Sequence, residues 1–145
     1  MSESHDDVVR REFTLQEPNF SRAGAYYAAL GASTVAALQP LTRELIALDV
    51  AGGAAHGSEA VAAHVRQVIG VDLTPALLAA GAKRLAERGV CNVLLQEANA
   101  ARLPSTTLAR AFVRYAPVAA CGPRKACLGG EQLRQIPRRR AESSY

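Results

Sequence analysis

The chain has 145 residues, of which 49% are hydrophobic and 21% charged, proportions that suit one globular domain able to bury a single core. They exclude a collagen-like repeat and a disulfide-stapled mini-protein, and no apolar run reaches the roughly 20 residues of a membrane span. The net charge of +4 raises the question of a nucleic-acid partner, which the placement of the charges answers below.

The N-terminus, Met1-Ser2-Glu3-Ser4-His5-Asp6-Asp7, is acidic where a secretory signal is basic and then apolar. Three cysteines in no metal-ligand spacing fit a reducing compartment, so the expected location is the cytoplasm, with no metal. Val8 to Gln16 and Phe20 to Leu38 read as helices, the second closed by Pro40. Leu45-Ile46-Ala47-Leu48-Asp49-Val50 is a short apolar run ending in a carboxylate, the pattern of a buried strand. A small-residue loop, Ala51 to Gly57, leads into a helix expected over Ser58 to Arg66.

Val68-Ile69-Gly70-Val71-Asp72 repeats the buried-strand pattern and again ends in Asp. Thr74-Pro75 is a strong helix start, a hydroxyl cap followed by proline at the first helical position. That helix runs to Arg88, with Gly89 as its stop. Val93-Leu94-Leu95-Gln96-Glu97 is the third strand. The β-α-β-α-β order over about 55 residues predicts an α/β fold with a Rossmann-like, doubly wound parallel sheet.

After Pro104 the rhythm stops. Eight of the 17 basic residues fall there but only Glu131 and Glu142 of the 13 acidic ones, and Pro117, Pro123 and Pro137 interrupt every long window. With Phe112, Tyr115 and Tyr145 as its aromatics, the segment lacks the interleaving of single-strand binders, and no specific nucleic-acid partner is expected. Three segments result: a helical leader or cap over residues 1–40, a cofactor-binding half over 41–104, and an irregular basic tail over 105–145.

In an open parallel sheet, ligands sit outside the carboxyl ends of the strands. Asp49, the loop Ala51-Gly52-Gly53, Asp72 and Asn99 all fall at that edge. Glycines let a ligand approach the backbone, and a carboxylate can take hydrogen bonds from two ribose hydroxyls. Each residue also has an ordinary reading: Asp72 near a helix start, Asn99 as a turn residue, Gly52-Gly53 as a plain loop. Their combination at this spacing favours an adenosine site.

Leu48-Asp49-Val50-Ala51-Gly52-Gly53-Ala54-Ala55-His56 resembles the first motif of class I S-adenosylmethionine (SAM) dependent methyltransferases. Val68-Ile69-Gly70-Val71-Asp72-Leu73-Thr74-Pro75-Ala76-Leu77-Leu78 is similar to the second, and Gln96-Glu97-Ala98-Asn99-Ala100-Ala101-Arg102-Leu103-Pro104 to the third. The second is the most specific match. Val9-Arg10-Arg11-Glu12-Phe13-Thr14 and Asn19-Phe20 look like the leader of the ubiquinone/menaquinone-biosynthesis group. The resemblance implies methyl transfer from SAM to a small-molecule acceptor. It places Asp49, Ala51, Gly52 and Gly53 toward the methionine end, Asp72 on the ribose, Leu73 against the base, and Asn99 and Ala100 at the adenine edge.

Three departures stand out. Ala51 and Ala55 occupy positions where the family has its outer glycines, and Ala55 is expected to put a methyl group near the methionine end. Asn99 replaces the usual Asp. No Phe-Asp-led strand follows Leu103-Pro104, and no Asp occurs beyond Asp72, so the chain reads as truncated or frameshifted after the third motif, with a genuine short tail as the competing idea. Tyr26 and Tyr27 are candidates to cover the cleft or, equally, to pack in the core. His56 is the histidine nearest it, and no catalytic base can be named. Two alternatives remain: a non-catalytic fragment or binding module, and an NAD(P)-binding oxidoreductase, to which Gly52 to Gly57 with Asp72 fits less well because Asp49 and Thr74-Pro75 are left unexplained.

Overall fold

The structure, a computed structural model, describes residues 3–102 and the backbone of 110–112. Its elements run α1 (His5–Arg22), α2 (Gly24–Ala37), β1 (Ile46–Val50), α3 (His56–Ala62), β2 (Gln67–Asp72), α4 (Pro75–Glu87), β3 (Val93–Glu97), a single 3-10 turn (Ala100–Arg102) and β4 (Arg110–Phe112). The four strands are parallel in the order β3-β2-β1-β4. The chain moves outward from β1 to β3 and then returns to the far side of β1. That reversal creates the crevice in which doubly wound sheets bind ligands.

The α/β fold is the expected one, and β3 has its expected bounds. Differences lie at the ends of elements. The first helix starts at His5 rather than Val8, because Ser4 caps it: its hydroxyl accepts from the Asp7 amide at 3.2 Å and donates to the Asp7 carboxylate at 2.5 Å. It also continues through Pro18 to Arg22. Proline inside a helix removes one backbone bond and costs about 3 kcal/mol. Phe13 and Phe20 meet across the proline at 6.2 Å within the same helix, and the buried Val9 and the Arg10 bond to the Leu73 carbonyl dock that helix on the rest of the domain. The helix α3 begins earlier and ends sooner than expected, leaving His64 exposed beyond it. Arg110–Phe112 pairs with β1 as a short strand within the 105–145 segment. The remainder of that tail lies outside the described residues.

Register explains the core. Ala47, Val68 and Val93 stand side by side on neighbouring strands and pack with Leu38, Val61, Ala62 and Val65. Alternation then turns Leu48, Ile69 and Leu94 to the other face, where Leu94 is 51% exposed. Small residues bring the helices close. A Cβ on Gly31 would lie 2.7 Å from the Ala60 Cβ, so α2 and α3 touch backbone to side chain.

Candidate cofactor cleft

A cleft of about 300 Å³ opens at the carboxyl ends of the strands. All eight residues expected there line it: Asp49, Ala51, Gly52, Gly53, Asp72, Leu73, Asn99 and Ala100. The sheet supplies the floor. In-register pairing sets Val50 beside Val71 and Asp72 beside Glu97, so the loops after β1, β2 and β3 converge.

Two carboxylates organise that floor. Asp49 is 2% exposed, and its Oδ2 accepts from the Ser58 hydroxyl at 2.7 Å. The loop wraps so tightly around it that a Cβ on Gly52 would lie 2.9 Å from Asp49 Oδ2. Glycine at 52 is therefore a steric requirement of the buried carboxylate. Asp72 Oδ2 accepts from the Gly53 amide at 2.8 Å, and Oδ1 accepts from the Thr74 amide at 2.9 Å. Each carboxylate oxygen has two lone pairs, so Asp72 shapes the loop and retains acceptor capacity toward the cleft.

The outer positions of the loop are the strained ones. Ala51 has φ 56° and Ala55 φ 60°, a left-handed conformation that costs an L-residue roughly 1–2 kcal/mol. Their side chains go different ways. Ala51 lines the cleft, whereas Ala55 is fully buried against α4, where a Cβ on Gly81 would come within 3.1 Å of its methyl. The expected methyl group near the methionine end is thus turned away, and Ala55 cements the loop to α4.

Asn99 is held from two sides. Its Oδ1 accepts from the Ala101 amide at 2.8 Å and holds the 3-10 turn, while its Nδ2 donates to Asp6 at 3.0 and 3.2 Å. Asp6 belongs to α1, which lies along the open side of the cleft. Arg10 fastens that helix, donating through Nε to the Leu73 carbonyl at 3.2 Å and pairing through Nη2 with Glu97 at 2.9 Å.

The helical wall is aromatic. Phe13, Phe20 and Tyr27 all line the cleft, with successive ring centroids 6.2 and 6.1 Å apart. Tyr27 stacks on His56 at 4.6 Å. Tyr26, expected with it, is instead 64% exposed. The Nε2 of His56 lies 3.0 Å from Arg84 Nη1. A guanidinium only donates, so Nε2 accepts and the imidazole proton sits on Nδ1. Arg84 also pairs with Glu59 at 3.2 Å. The motifs did not reveal this wall, in which Phe13 and Phe20 lie two turns apart on α1 and Tyr27 follows on the first turn of α2.

These features fit a SAM-type cofactor: a glycine-bearing loop around one carboxylate, a second carboxylate with spare acceptors, and an apolar wall. A profile described as a methyltransferase domain matches residues 47–125, just over half of the chain. The chain belongs to the class I SAM-dependent methyltransferase family. The match passes Pro104, where the recognisable motifs end, and includes β4.

Solved methyltransferases with TM-scores above 0.5 share this fold. Precorrin-6y C5,15-methyltransferase from Geobacter metallireducens is 25% identical, with a TM-score of 0.51 over 57% of this chain and 46% of that one. Phosphoethanolamine N-methyltransferase 1 from Haemonchus contortus, solved with phosphoethanolamine and S-adenosylhomocysteine, is 16% identical, with a TM-score of 0.55 over 78% of this chain and 26% of that one. The YcgJ protein of Bacillus subtilis is 33% identical, with a TM-score of 0.47 over 52% of this chain and 31% of that one. The chain thus spans between about a quarter and a half of each structure. No curated protein matches it. Among the described residues, no helix of this methyltransferase domain is long and apolar enough to cross a membrane.

Proposed function

We propose that the chain binds SAM in this cleft and transfers its methyl group to a small-molecule acceptor, of the kind handled by the ubiquinone/menaquinone-biosynthesis methyltransferases that its motifs resemble. The observation that carries the reading is the convergence of Asp49, Asp72 and the Ala51–Gly53 backbone on one crevice. When bound, SAM supplies a methyl group on a sulfonium sulfur. Asp72 takes the ribose hydroxyls on its remaining lone pairs. Leu73 packs against the base, Asn99 and Ala100 frame the adenine end, and the negative charge of Asp49 beneath the loop suits a cationic cofactor. Much of the catalysis is then in-line positioning of two reactants, for which the Phe13-Phe20-Tyr27 wall provides a water-poor side.

Calorimetric titration with S-adenosylhomocysteine tests the reading. Saturable 1:1 binding is expected, weakened at least about tenfold by Asp72→Ala, which removes charge-assisted bonds to the ribose. Saturable binding of NADH, with no response to S-adenosylhomocysteine, contradicts it and favours the oxidoreductase alternative. A second reading, cofactor binding without methyl transfer, is favoured by the engagement of His56 Nε2 with Arg84. Transfer of radiolabelled methyl from SAM to any small acceptor rejects it.

A further inference from the structure

At the β3 end of the cleft one polar group has an unexpected origin. Asn99 stands where the cofactor's adenine edge is expected, yet its amide oxygen already receives the Ala101 amide and its nitrogen already serves Asp6. An amide is neutral, so a bond from its oxygen to an amine lacks charge assistance. The charged acceptor at this end of the cleft is the carboxylate that Asn99 holds. Asp6 lines the cleft and is half-buried. It is held by both of its oxygens, and its helix is fastened by Arg10 to the Leu73 carbonyl and Glu97. Arg102, also in the lining, is a donor and cannot receive an N–H.

We infer that Asp6, in the leader helix and outside every motif, is the specificity-determining residue that accepts the exocyclic amine of the cofactor's adenine. The inference rests on the SAM reading above. An exocyclic amine is a donor that needs an acceptor, and a carboxylate gives it a charge-assisted bond. Asn99 positions that carboxylate. The same arrangement accounts for an amide at 99, because a second carboxylate there would face Asp6 at about 3 Å and repel it.

The test compares S-adenosylhomocysteine with its 6-deamino analogue, in which hydrogen replaces the amine, by calorimetry on the full chain. The wild type is expected to prefer the adenine compound about tenfold, the value of one charge-assisted hydrogen bond in a partly open site. Asp6→Ala brings the preference to about one. Asp6→Asn keeps the shape that receives Asn99, guarding against simple undocking of α1, and lowers the preference about threefold. Asn99→Ala weakens both ligands but retains a preference. If Asp6→Ala and Asp6→Asn weaken both ligands equally and leave the preference intact, Asp6 is structural and the inference is overturned. A wild type that binds both ligands equally also overturns it while leaving the cofactor reading standing. A wild type that binds neither ligand overturns both.

Discussion

The two sides of the cleft are built differently. The floor is held by bonds within one loop or between adjacent strand ends: Asp49 to Ser58 nine residues away, Asp72 to Gly53 and Thr74, and a loop too tight for any side chain at 52. The helical wall is held by contacts between distant residues: Asp6 with Asn99, Arg10 with Leu73 and Glu97, Tyr27 with His56. Its polar ties are also more exposed, with the Arg10 side chain 37% and Glu97 47% accessible. A rigid floor beside a more weakly tethered wall gives a site whose shape is preformed on one side and adjustable on the other, since local stability follows the density of buried contacts.

The largest effect is expected at the floor. Asp49→Ala deprives the fully buried Ser58 hydroxyl of its charged acceptor and lowers unfolding free energy by about 2–3 kcal/mol, read from the denaturant midpoint. A loss below about 0.5 kcal/mol would show that the buried pair contributes little and would remove the contrast. The two strained alanines sharpen it next. Ala51→Gly relieves a left-handed residue without giving up core packing and stabilises by about 0.5–1 kcal/mol. Ala55→Gly relieves the same strain but gives up a buried methyl worth about 0.8 kcal/mol, so the net change is near zero. Equal melting shifts in the two variants would contradict the assignment of Ala55 to α4 packing.

The wall is expected to respond more weakly. Arg10→Ala breaks a half-exposed pair and costs less than about 1 kcal/mol in global stability, while amides of α1 exchange faster by hydrogen–deuterium exchange. Global destabilisation as large as that of Asp49→Ala would refute the comparison. The smallest effect is at the cap. The Ser4 hydroxyl bond holds the Asp7 carboxyl below its ordinary value of 3.8. A depressed acid contributes stability that is complete above the ordinary value and is lost as pH falls through the lower, folded one. Fraying of the first turn of α1 is therefore expected only below about pH 4, and the Ser4→Ala variant should fray without that acid dependence.

The floor was legible in the sequence for the reason that makes it rigid. Asp49, Gly52, Gly53, Asp72 and Thr74-Pro75 act within a few residues or across adjacent strands, so spacing alone places them. The direction of the Ala55 methyl was not legible, because it depends on where α4 crosses the loop at Gly81. The first helix was expected only from Val8 to Gln16, and its continuation through Pro18 to Arg22 goes with its docking on the rest of the domain through Arg10 and Leu73. Asp6 and Arg10 act across 93 and 63 residues; Asp6 lies outside every motif, and the leader pattern that contains Arg10 does not point to its partners. Tyr26 and Tyr27 looked equivalent until the helix was placed, and only one faces the cleft.

Hydrogen–deuterium exchange of the full chain, with and without saturating S-adenosylhomocysteine, tests most directly whether the two sides close on one ligand. The expected result is strong protection of the loop amides at 51–55 and of 72–77, together with new protection in the first turns of α1 around Asp6 and Arg10. Protection of the floor with no change in α1 would contradict the joint site, and no protection in either region would contradict the cofactor cleft itself.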